Sequence, residues 1–138
     1  MPSLAGWNAG VGIAPDDWIW IEGQAEQALG YCALFWPDIE VVEDFILRAP
    51  YHIDSLRKWQ ETGRSRKLIE KAMNFVSLEG AFTGIEQSGE QYEHQLKHIS
   101  KLMADMWDAK LRRDFPDRDF SVIVVNRDDD FGVTFHQI

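Results

Sequence analysis

Three groupings of side chains have the types and spacing for chemistry. Glu90, His94 and His98 follow one another at intervals of four residues. On a helix they form one row, a spacing that suits a metal ion. Lys97 and Lys101 interleave that row, and their charge disfavours a cation. No Glu directly follows His94, so the zincin pattern is missing. We therefore expect a solvated polar face there, with no metal and no cofactor. Asp128, Asp129 and Asp130 crowd three carboxylates together, as hard cations prefer. Their spacing is not that of an EF-hand, and Asp is a favoured turn residue because its side chain bonds nearby backbone N–H groups. Cys32 is a candidate nucleophile with His52 or His136 as base. It lies in the apolar run from Tyr31 to Trp36, where a cysteine acts as a small hydrophobe, and no sequence feature brings a histidine to it. No catalytic residue is assigned.

Six tryptophans are many for 138 residues. Trp59 and Trp107 fall on helical stripes and are expected in the core. Trp18, Trp20 and Trp36 are candidates for a ligand pocket or a partner face. Core packing is the plainer account, at ~1.5–3 kcal/mol for each large side chain. Gly-rich phosphate loops and a nucleophile elbow are both lacking.

The elements that must position these residues are organised around residues 88–115. Tyr92, Leu96, Ile99, Met103, Met106 and Trp107 recur at helical spacing and share one stripe. Ser88 and Gln91 have capping-box spacing, acids open the segment, bases close it, and Pro116 stops it. Lys110 and Asp114 fall on the continued stripe, so the last turn is expected to project beyond the core. Upstream, residues 1–15 read as an irregular arm. Pro15-Asp16-Asp17 signals a helix start, Trp18–Ile21 reads as helix or buried strand, and Ala25–Leu29 reads as helix. Ile39–Val42 and Phe45–Arg48 read as a tight hairpin. Ile53, Leu56 and Trp59 mark a short helix ended by Gly63. Ser65 caps another, with Ile69, Ala72, Met73 and Val76 as its apolar set, and 78–89 reads as loop. Phe120–Val125 reads as an interior strand with both faces apolar, and Phe131–Gln137 as a strand with one wet face, expected to pair with Ser121–Asn126.

The expected fold is α+β: a single domain, 1–138, with a mainly antiparallel sheet of about four strands, two N-terminal and two C-terminal. Helices pack on one face of this sheet. Ile123 and Val125, with Ile46, then lie on the other, open to the arm or to a second copy in a homodimer.

Phe35-Trp36-Pro37-Asp38, Met106–Leu111, Asp114–Arg118 and Val133–Gln137 together resemble a family of small uncharacterised bacterial proteins. The resemblance covers most of the chain after about residue 30 and implies no activity.

Charge and composition narrow the function classes. The net charge of −9, from 23 acids and 14 bases, opposes binding to nucleic acid or an anionic membrane. One cysteine excludes an intrachain disulfide. The start of the chain lacks a signal-peptide pattern, no stretch is apolar enough to span a bilayer, and a cytoplasmic location is expected. These features favour a non-catalytic binding protein with an acidic surface. The alternatives are a small enzyme using His52, His94, His98 and His136 with carboxylates, and a Trp-lined ligand pocket.

Overall fold

Pro15 supplies the φ that a first helical residue needs, and Asp16 and Asp17 place negative charge at the positive end of the helix. In the computed structural model, which describes residues 1–82, 89–127 and 130–138, α1 (Pro15–Glu22) begins there. Trp18–Ile21 is therefore helical. Gly23 closes α1 with its N–H on the Ile19 carbonyl, an approach that a side chain at this position would block. α2 runs from Ala25 to Phe35. The arm before α1 holds a 3-10 turn, Pro2–Gly6. Leu4 is buried, and its carbonyl accepts from the N–H groups of Trp7 and Ile13. Cys32 is exposed, contrary to the expectation of a buried hydrophobe.

The chain divides into two compact units, Met1–Ala33 and Leu34–Ile138. In the second, β1 (Ile39–Val42) and β2 (Phe45–Arg48) form the expected hairpin. Its turn puts Glu43 at φ 56°, a left-handed conformation that a side chain disfavours. The Glu43 carboxylate is held by Arg57 at 2.6 Å and by Gln60 at 3.0 Å. α3 (Ile53–Glu61) ends before Gly63, whose φ of 66° suits glycine. α4 (Arg66–Met73) follows Ser65. Val76 is not on α4: it pairs in β3 (Val76–Ser77), followed by the one-turn α5 (Leu78–Ala81), where a loop was expected. Then come α6 (Glu90–Asp114), β4 (Phe120–Arg127) and β5 (Asp130–Gln137). The Ser88 cap and the carboxylates of Asp128–Asp130 lie outside what the structure describes.

The fold is α+β with antiparallel pairing throughout. The strands lie in two sheets, β1-β2 and β3-β5-β4. Two side chains, one on α4 and one at its C-cap, join them. Buried Glu70 accepts from the N–H of Ile46 on β2 at 2.9 Å and of Gln137 on β5 at 2.8 Å. One turn on, buried Asn74 accepts from Arg48 N–H and donates to the carbonyls of Ile46 and Phe135. A carboxylate and an amide thus replace the ladder that would otherwise connect β2 to β5.

Helices cover both faces of β5, not one. Phe131, Val133 and Phe135 join Leu96, Met103, Trp107 and Leu111 of α6 in one core cluster. On the other face the Thr134 hydroxyl donates to the Lys71 carbonyl of α4 at 2.7 Å. Residues 131–137 are accordingly all buried, where one wet face was expected. β2 is likewise two-faced: Ile46 belongs to the α6 cluster, whereas Phe45 and Leu47 pack with Leu56 and Ile69. On α6, Ile99 and Met106 are half-buried, Lys97 and Lys101 exposed, and Asp108 half-buried beside Arg112. Its last turn stays in the core, because Leu111 is fully buried.

Candidate functional site

α4 is built against three habits of stable helices. Its first turn carries Arg66 and Lys67 and no acid, although the N-terminal end of a helix dipole favours negative charge. Lys67 and Lys71 stand four apart, where like charges repel by about 0.2–0.5 kcal/mol. Ser65, at the N-cap, makes no side-chain capping bond. Among the described residues, Arg66, Lys67 and Lys71 enter no ion pair and no side-chain hydrogen bond. What fixes α4 in place is its buried row, Ile69, Glu70 and Asn74. The Lys67–Lys71 row runs roughly 60° around the helix from Glu70 and Asn74, and so flanks the sheet rather than entering the core.

Beside that row is a cleft of about 730 Å³. Ser121 and Ile123 of β4 and His136 of β5 line it from one face of the sheet, since the register pairs Ser121 with His136 and Ile123 with Thr134. Asp44 and Phe45 contribute from the hairpin, and Ile138 from the end of β5. This is the part of the far sheet face that α4 leaves uncovered. The face was expected to await the arm or a second copy; α4 occupies it over β5, and Ser121 and Ile123 remain half-buried in the cleft.

His136 has a defined orientation. The residue is 3% exposed, and its Nδ1 lies 2.8 Å from the Gln137 carbonyl oxygen. A carbonyl oxygen only accepts, so Nδ1 carries the proton and donates it. Among the described residues Nε2 has no hydrogen-bond partner, and no fully buried side-chain polar atom is left unpaired. Nε2 is therefore open to the cleft. A backbone carbonyl holding Nδ1 while Nε2 faces a cavity is the arrangement that readies a histidine for a ligand. Gln137 beside it is tied at three points: Nε2 donates to Glu70 at 2.6 Å and to the Asp44 carbonyl at 3.0 Å, and Oε1 accepts from Arg118 at 2.8 Å. The wall behind the imidazole is thus fixed.

Of the described residues of the second unit that the sequence singled out as site candidates, His136 alone lines the cleft. Trp18 and Trp20 are on α1, with Trp20 87% exposed. Trp36, at 36% exposure, lies in the second unit with the Lys110 ammonium 5.8 Å from its ring centre. Trp36 does not line the cleft. His94 and His98 are exposed on α6. His94 borders a smaller hollow of about 260 Å³ with Glu93, Lys97, Asn126 and Phe131, which neither Glu90 nor His98 lines. Among the described residues no group of three or more His, Cys, Asp or Glu side chains is close enough to share a metal ion. His52 is exposed at the start of α3.

Sequence reasoning read Ser65 only as a cap and passed over Arg66, Lys67, Lys71 and Ser121. One signal was readable for Arg66 and Lys67: cations, with no acid, at the start of a helix. The place of Ser121 opposite His136 depends on strand register. Compared with protein-family models, with curated proteins and with solved structures, the chain shows no match.

Proposed function

We propose that the chain is a non-catalytic binding protein and that the cleft between α4 and β4-β5 receives its ligand. The observation that carries this reading is the combination of three cations that enter no ion pair among the described residues with the open Nε2 of His136 around one concavity. About 730 Å³ is within the range of small-molecule sites. Phe45 and Ile123 offer apolar contact, while the polar groups fix orientation. Glu70 and Asn74 hold the cleft walls by backbone hydrogen bonds, so little ordering is left to be done on binding.

The test is a thermal-shift screen against neutral, cationic and anionic metabolites, followed by amide NMR. Ligands should raise Tm, shift the amides of Ser121, Ile123 and His136, and lose both effects in Ile123→Trp, which fills the cleft. Binders that shift only α1 or the polar face of α6 would refute the reading. The enzyme alternative has one observation in its favour, the pairing of Ser121 opposite His136. It requires turnover of a bound ester or phosphoester that Ser121→Ala abolishes without weakening binding.

A further inference from the structure

We infer that the ligand of this cleft carries a phosphate-class anionic group, held at the start of α4 by Arg66 and Lys67 with Ser65, and by Lys71 one turn further on, and that His136 meets the same molecule deeper in the cleft. The inference rests on the cleft being the binding site, as proposed above. Its first support is charge. The lining side chains include three cations and one carboxylate, Asp44, in a chain whose net charge is −9. Such a concentration of cations is self-repulsive and is relieved by a bound anion. The second support is the backbone. The N–H groups of Arg66 and Lys67 have no hydrogen-bond partner among the described residues, since the first helical bonds to the Ser65 carbonyl come from Leu68 and Ile69. Unfilled N–H groups at the positive end of a helix are donors for phosphate oxygens. The third is independent of both: the Nε2 of His136, on a residue 3% exposed, opens into the same concavity from the sheet.

Polyanions would also be drawn to these cations. A nucleic acid or a lipid surface extends well beyond one cleft, however, and would meet the acids that dominate the rest of the chain. A small molecule confines its charge to the basic spot. Phe45 and Ile123 lie where its uncharged part would pack.

The experiment titrates the full chain with inorganic phosphate, pyrophosphate, phenyl phosphate and, as the uncharged match, phenol. Calorimetry gives affinity, and NMR follows the His136 ring and the Lys67 and Leu68 amides. Phenyl phosphate should bind at least about tenfold more tightly than phenol, and Arg66→Gln/Lys67→Gln should weaken it by at least about tenfold. Both positions are exposed, so this variant should keep its Tm, and Lys97→Gln/Lys101→Gln on α6 should leave affinity unchanged. If no phosphate probe binds while a neutral ligand from the metabolite screen does, the inference falls and the cleft reading stands. If nothing binds the cleft in either experiment, both fall. Tighter binding of a DNA oligonucleotide or an anionic vesicle, weakened by the same Arg66/Lys67 variant, would overturn the small-ligand class in favour of a polyanion.

Discussion

A carboxylate with no solvent exposure persists only where donors replace its water. Glu70 meets that condition with the N–H groups of Ile46 and Gln137 and the Gln137 amide. Removing it strands those donors in the interior, at about 1–3 kcal/mol for each unsatisfied group. Glu70→Ala should therefore lower unfolding stability by about 3 kcal/mol or more in urea denaturation. A loss under about 1 kcal/mol would mean that water replaces the carboxylate. Gly132 is set by closeness rather than by φ. A Cβ there would stand 2.6 Å from the Val76 carbonyl oxygen and collide with the Phe75 ring. Because Val76 pairs with Val133, the carbonyl has little room to retreat. Gly132→Ala should cost about 1–3 kcal/mol and loosen β3, read as faster amide exchange at Ser77.

α6 and the hairpin show two ways of specifying an element. α6 is held by its stripe: Leu96 and Met103 are buried among β5 side chains, and Trp107 meets Phe135 edge to face at 5.8 Å while its Nε1 donates to the Leu34 carbonyl. Leu96→Ala and Met103→Ala should each cost about 2–5 kcal/mol by thermal or urea unfolding. The hairpin is held by its turn. Hydrogen bonds from Arg57 first, then Gln60, keep the Glu43 carboxyl pKa below its ordinary 4.5. A lowered carboxylate pKa means that the folded state binds this proton less readily than the unfolded one. The stabilisation is present above the ordinary value and is lost as pH falls through the folded one. Wild type should therefore be more stable than Glu43→Gln near neutrality, with the gap closing as pH drops from about 7 to about 3. A gap that is constant across that range would detach the turn from the Glu43 charge. Glu43 and Arg57 are both well exposed, so salt should narrow the gap as well.

At the scale of the whole molecule, both core clusters draw on residues from Leu34 onward. A chain beginning at Gln24 keeps α2 whole and retains every one of those residues. It should unfold cooperatively, with protected amides in α6 and β5. A molten, exchange-labile product would show that the second unit depends on residues 1–23. The electrostatic pattern also belongs to this scale. Arg66, Lys67 and Lys71 enter no ion pair among the described residues of this acidic chain and so maintain a local positive field; added salt should weaken the proposed anion binding at the cleft while leaving the buried Glu70 bonds intact.

Much of this protein is local, and what is local was legible in the sequence. The α+β class, the extent of α6, the limits of β1 and β2 and the pairing of β4 with β5 follow from apolar spacing, Pro and Gly positions and acid-base bias. Each of these acts within a few residues of chain. The cationic start of α4 was equally local, though it acquires meaning only beside a cavity. Tertiary structure alone decided the rest. Glu70 and Asn74 look like ordinary polar residues of an amphipathic helix, yet they bridge β2 to β5 from 24 to 67 residues away. His136 alternates with Phe135 as a wet residue would, yet it is only 3% exposed, beside Thr134, whose hydroxyl meets α4 on the same face of the strand. Ser121 and His136 meet through strand register, and the hairpin brings Asp44 and Phe45 to them. Periodicity identifies a face but not what covers it, because that depends on chain segments too far apart in sequence to leave a local signal.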